Sequence, residues 1–335
     1  MLSRRFKRPT RGVDGRTLGG NILSAPKQSS FERRVVGNNV WLSREGATAE
    51  ALEVRPLRYE VMPTEEAVGL AQWEEVGRAA REKEGDLVII LLGGRGAQAM
   101  YRHVAEIAKT DAADELLGRL HVFTQDALAP MRMDNGLSFV RDFERLLGEA
   151  FFRKVKSFTP MRTDTDDLEG GLAEYLSKLE ALGGIDIFFL GMGPEAGATS
   201  HLAYIKPGSG AAAGDVAGVI PISPSILEHH IGKFKAGGSN VTAEDEAECR
   251  AATHILTLGP AAILGSRRIV QSIVDASTAP AKPASYRRIL DEEISEDPQE
   301  QARQLDENPG LWLRVHPNVR SLILPDVVAN ATSSL

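Results

Sequence analysis

Two side chains able to move protons near neutral pH stand in loops directly after apolar runs. Asp126 follows a run ending in Val122-Phe123, and His201 lies in the stretch 191–207, Gly-Met-Gly-Pro-Glu-Ala-Gly-Ala-Thr-Ser-His-Leu-Ala-Tyr-Ile-Lys-Pro. A carboxylate and an imidazole facing one crevice can exchange protons with a substrate carbon or hydroxyl. Glu195 enters the same glycine-rich bend six residues before His201. Taken singly, an aspartate after a strand is usually a turn or cap residue, and a lone histidine is usually a surface imidazole. The glycine-rich setting after a buried run is what favours chemistry here.

A third segment, Gly93, Gly94, Arg95 and Gly96, ends one apolar run and opens a helical stretch. Unpaired amides and the dipole at a helix start favour an anion, and a guanidinium adds paired charge-assisted bonds to phosphate. A tight strand-to-helix turn with Arg95 in solvent explains the same residues equally well. Neither Gly-x-Gly-x-x-Gly with a trailing acid nor Gly-Lys-Ser/Thr is present, so dinucleotide and ATP binding lack their usual support.

These loops need elements to position them. Periodicity predicts a helix over 65–83, a doubly buried strand over 86–92 and a helix over 97–109. Further strands are expected at 120–123, 185–190, 218–222, 253–258 and 321–324, with helices at 138–154, 168–182 and 261–276. The repeated strand–helix order predicts an α/β fold, an open, mostly parallel, doubly wound (Rossmann-like) sheet with helices on both faces. Strand ends then share one edge, which would gather the three loops. Residues 1–40, rich in Arg, Lys, Gly and Ser at their start, read as a flexible basic tail; 41–335 read as one α/β domain, with 277–309 an acidic helical excursion.

Composition limits the partners. The net charge of −7 argues against nucleic acid or an anionic membrane as main partner. One cysteine, Cys249, excludes an intrachain disulfide and a thiolate cluster, and no run approaches a membrane span or a signal peptide. A cytoplasmic protein acting on a small molecule is expected; the sequence does not fix an oligomeric state and leaves a homo-oligomer open.

Four segments in order resemble the glucosamine-6-phosphate deaminase and 6-phosphogluconolactonase superfamily, over roughly residues 60 to 330. Residues 92–96 stand against Thr-Gly-Gly-Thr-Pro, and 123–128, Phe-Thr-Gln-Asp-Ala-Leu, against Phe-Asn-Met-Asp-Glu-Tyr. The bend at 191–207 stands against Gly-x-Gly-x-Asp-Gly-His-Ile-Ala-Phe-Asn-Glu-Pro, and 313–317 against Leu-Gln-Leu-His-Pro. The resemblance implies that Asp126 is the base moving a proton between C2 and C1, and that His201 opens the sugar ring. It implies no metal or organic cofactor. The family aspartate corresponds to Glu195 or Thr199, and the glutamate that assists the histidine is replaced by Lys206, inverting a charge. Phosphate would be held by Gly93, Gly94, Arg95 and Gly96 and by loop amides at Gly193. Arg250, Lys233, Lys235 or Arg267, with Arg268 and Lys206 as weaker candidates, would replace the family's missing basic residue, whose place Thr253 takes. The expected function is therefore a sugar-phosphate isomerase or deaminase, with lactone hydrolysis or non-catalytic sugar-phosphate binding as alternatives.

Overall fold

The structure is a computed structural model that describes residues 31–46, 50–195 and 199–329. In chain order its strands are β1 Phe31–Val36, β2 Asn39–Arg44, β3 Tyr59–Val61, β4 Leu87–Leu91, β5 Leu120–Thr124, β6 Asp126–Ala129, β7 Ser157–Thr159, β8 Ile187–Pro194, β9 Ser200–Leu202, β10 Asp215–Pro221, β11 His254–Leu258, β12 Arg268–Ile273 and β13 Val319–Ile323. The helices are α1 Glu65–Glu82, α2 Gln98–Ala108, α3 Asp114–Leu117, α4 Phe139–Lys154, α5 Leu168–Ala181, α6 Pro224–Ala236, α7 Ala243–Ala251, α8 Pro260–Leu264, α9 Ala281–Asp291 and α10 Pro298–Glu307.

The main sheet runs β3-β13-β12-β8-β4-β5-β7 with every pair parallel, and β9 folds back antiparallel on the far end of β8. Continuous runs such as Leu-Val-Ile-Ile-Leu in β4 are buried on both faces, as a parallel sheet requires. Val68 of α1, Met100 of α2 and Phe143 of α4 pack against Ile89, Val122 and Phe189 on one face. Leu176 of α5 and Tyr286 of α9 pack with Phe123, Phe188 and Ile269 on the other. The expected α/β class and parallel order hold for this sheet. From β4 the chain proceeds outward to β5 and β7, whereas β8, β12 and β13 lie on the opposite side. The order therefore reverses between β4 and β8, where a doubly wound sheet opens a crevice at its carboxyl edge.

The structure departs from the sequence-based expectation in four places. The strands expected at 218–222 and 253–258 belong to a second, antiparallel sheet, ordered β1-β2-β10-β11-β6. A short apolar run looks alike in either kind of sheet, so periodicity could not assign them. The helix expected over 261–276 stops as α8, with Gly265 at its end, and the chain continues as β12, a central strand of β-branched character. The excursion at 277–309 contains two helices, split before the Asp297 cap, and buries Tyr286, Ile289 and Leu305. Finally, the tail expected through residue 40 ends earlier. Phe31–Val36 and Asn39–Arg44 form a hairpin turning at Gly37 (φ 58°) and paired to β10, while residues 1–30 lie outside the described residues. Among the described residues no helix is long and apolar enough to cross a membrane.

Candidate active site

The chain leaves β5 at Thr124 and enters β6 at Asp126, so Gln125 and Asp126 stand where the two sheets meet at the carboxyl edge of the main one. The junction is pinned from both sides: the Gln125 amide donates to the Leu91 carbonyl at 3.1 Å, and the Leu258 amide donates to the Gln125 carbonyl at 3.1 Å. Asp126 is 2% exposed. Burial pushes its carboxyl up to about 7, against a lowering hydrogen bond that the Gln125 side-chain amide donates to Oδ2. A carboxyl titrating near neutrality can both take and return a proton.

His201 comes to the same crevice on the β8–β9 hairpin, where it pairs with Gly193. Its Nδ1 lies 3.0 Å from Glu195 Oε1, and its ring stacks on Tyr204 with centroids 4.3 Å apart. Burial lowers the imidazole pKa while Glu195 opposes the shift, so the site favours a neutral ring oriented by a carboxylate. The following turn, residues 202–205, is closed by the Ile205 amide donating to the Leu202 carbonyl at 2.8 Å. Both its central residues are left-handed, Ala203 at φ 49° and Tyr204 at φ 58°. Neither is glycine, so each costs roughly 1–2 kcal/mol, and the surrounding contacts must hold the strain. One such contact is the Thr257 hydroxyl, which donates to the Ala203 carbonyl.

Gly193 has no room for a side chain: a Cβ there would stand 2.0 Å from His201 Nε2. Gly193→Ala is expected to push the imidazole off its place and lower kcat/KM roughly 100-fold, the scale of a 1 Å misplacement. The melting temperature should move little by comparison, and unchanged kinetics would mean that His201 is not a reacting group.

Asp126 and His201 line one cleft of about 780 Å³, together with Gly93, Gly94, Arg95 and Gly96. No protein-family model matches the sequence. The fold is similar to that of a monomeric glucosamine-6-phosphate deaminase, with a TM-score of 0.62 and 20% identity, covering 82% of this chain and 99% of that one. It is also similar to the 6-phosphogluconolactonase from Trypanosoma brucei, with a TM-score of 0.59 and 17% identity, covering 83% and 99%. A glucosamine-6-phosphate deaminase of Parabacteroides distasonis is 25% identical over 150 residues, 42% of this chain and 52% of that protein. The chain shares the fold of glucosamine-6-phosphate deaminases and 6-phosphogluconolactonases. The sequence match spans about half the length of that curated relative.

Two expectations drawn from the superfamily pattern change. Carboxylate support for His201 comes from Glu195, and the Glu195 amide, donating to the Thr199 carbonyl at 2.9 Å, closes the enlarged loop. Lys206 does not line the cleft; its ammonium donates to the Pro221 carbonyl, and burial lowers its pKa. It thus reaches His201 only as a distant charge.

The candidate cations divide the same way. Arg95 lines the cleft, but its guanidinium is held by Glu65 at the start of α1. Lys233 also lines it, with Nζ 2.8 Å from Thr278 Oγ1 and 3.6 Å from Asp275 Oδ2. Arg250 does not: it pairs with Glu228 and Glu246 on the outer faces of α6 and α7. Nor does Arg267, whose Nε lies 3.2 Å from Asp186 Oδ1; both precede their strands and so sit at the opposite, amino edge.

Sequence reasoning missed Lys282, in the first turn of α9. It is buried, 2.6 Å from Asp275 Oδ1, and burial lowers its pKa against the pull of that carboxylate. Two ammonium groups therefore share one carboxylate, leaving local positive charge beside the glycine turn. The only signal was a lysine set among small apolar residues, Ala-Pro-Ala-Lys-Pro-Ala, in a segment otherwise read as solvated. His229 also faces the cleft, its pKa pushed down to about 4 by burial first and Lys233 second.

Proposed function

We propose that the protein is a sugar-phosphate-processing enzyme that opens the ring of a phosphorylated amino sugar and moves a proton between C2 and C1. The observation that supports it is a desolvated carboxyl, Asp126, facing the same cleft as a carboxylate-oriented imidazole, His201 with Glu195. His201, neutral, takes the proton of the anomeric hydroxyl and delivers one to the ring oxygen. The Asp126 carboxylate then takes the C2 proton and the electron pair forms an enolamine across C1 and C2 as the C1 oxygen gains a proton from solvent; the Asp126 carboxyl returns its proton to C1 as the nitrogen gives one up to solvent. The ketimine left at C2 adds water and releases ammonia. Lys233, Lys282 and the amides of 93–96 hold the phosphate, and the surplus of two ammonium groups over one carboxylate supplies the charge.

Lactone hydrolysis by a relative of this fold would need His201 and Glu195 but no carbon acid chemistry, which makes Asp126 the discriminating residue. Ammonia release from glucosamine 6-phosphate and ring opening of 6-phosphogluconolactone are to be measured on wild type, Asp126→Asn and His201→Gln. The deaminase reading expects ammonia release in wild type, lost in both variants. Lactone opening that survives Asp126→Asn would replace it with hydrolysis, and binding without turnover of either compound would replace it with a sensing role.

A further inference from the structure

Gln125 stands next to Asp126 with an unusual set of partners. It is 3% exposed and lines the cleft; its Nε2 donates to Asp126 Oδ2, and its Oε1 has no hydrogen-bond partner. A buried acceptor left unpaired is costly, so its retention calls for a reason. Building on the proposed proton transfer, we infer that Gln125 is a positioning residue whose side-chain amide stays bonded to Asp126 in both protonation states of that carboxyl.

The argument rests on what each end of an amide can do. While Asp126 is a carboxylate it needs a donor, and Nε2 supplies one. Once the C2 proton arrives, the carboxyl oxygen becomes a donor, and Nε2 cannot accept from it. A half-turn about the terminal torsion, which is broad and two-fold, brings Oε1 to the same place with no change of shape. One end of the amide is bonded and the other unpaired before and after, so the rotation exchanges a stronger charge-assisted bond to the anion for a neutral one, and the carboxyl keeps a partner in both states. A leucine or methionine could hold neither state, and a lysine only the anion.

The backbone makes the partner reliable. Gln125 is fixed through its own amide to Leu91 and through its carbonyl to Leu258, so both sheets hold it. Tyr101 from α2, Tyr175 from α5 and Tyr204 from the turn after β9 feel the Asp126 charge, while Asp142 and Arg145 from α4, His201 from β9, and His229, His230 and Lys233 from α6 line the same cleft. The three tyrosines are raised far above their ordinary value by burial and stay neutral across the working range. Among the described residues, Gln125 is thus the side chain that hydrogen-bonds to Asp126.

The test reads the carboxyl itself. In full-length protein carrying ¹³C-carboxyl aspartate, the Asp126 signal is assigned by its absence in Asp126→Asn and titrated in wild type, Gln125→Leu and Gln125→Met. Removing the donor is expected to move the Asp126 midpoint upward by about one pH unit. The acid limb of ammonia release from glucosamine 6-phosphate should follow it, with kcat about 10-fold lower and KM within a factor of about three, the scale of a general acid–base group left poorly held. An unmoved midpoint in both variants would overturn the inference. So would a moved midpoint with an unchanged pH profile, which would make Gln125 a neighbour without a role in turnover. If wild type releases no ammonia, or Asp126→Asn still does, while the midpoint moves, the amino-sugar reading fails and the pairing of Gln125 with Asp126 stands.

Discussion

Asp126→Asn is expected to cost about 10²–10⁴ in turnover and to stabilise the protein above neutral pH. The stability effect follows from the carboxyl itself, which titrates at about 7 in the fold and in the ordinary carboxylate range once unfolded. Between those two values the folded state binds more protons than the unfolded one, so wild-type stability falls as pH rises. The favourable contribution is complete below pH 4 and lost once pH passes the folded value, a change on the order of 4 kcal/mol. Asparagine carries no charge at any of these pH values and escapes the loss. Chemical denaturation of both proteins at pH 5 and pH 8 should show the variant's advantage growing with pH. An equal difference at the two values would mean that Asp126 titrates as an ordinary surface carboxylate and is a poor candidate for the base.

Trp41→Ala is expected to destabilise the fold by about 3–5 kcal/mol, the range for removing a buried aromatic side chain. Trp41 is fully buried, donates from its indole nitrogen to the Ser209 carbonyl at 3.2 Å, and lies over Gly218, where a Cβ would come within 2.7 Å of the ring. It is the bolt that fixes the β1–β2 hairpin to β10. A guanidinium denaturation midpoint unchanged from wild type would show that the hairpin is peripheral to the cooperative unit.

The hairpin marks the boundary between what local sequence can reveal and what it cannot. Apolar runs at 86–92, 120–123 and 185–190 identified three of the parallel strands and placed the glycine turn, Asp126 and His201 beyond their ends, because burial on both faces and a tight exit turn are local demands. From order alone, parallel strands put those ends on one edge, and the cleft lined by Asp126 and His201 lies there. The antiparallel second sheet was not legible, since Gly218 pairing with Trp41 and Thr257 joins segments far apart in the chain and leaves no periodic trace of its direction. The same limit applied to the charged groups. The fates of Arg95, Arg250, Arg267 and Lys206 were decided by partners distant in sequence, Glu65, Glu228, Asp186 and Pro221. Lys282 entered the cleft because α9 packs its first turn against Asp275, although its own segment read as solvated. Residue type and strand order thus determined which chemistry could assemble and at which edge. Tertiary packing decided which charges face it, because a long side chain settles on the nearest counter-charge in space and not in sequence.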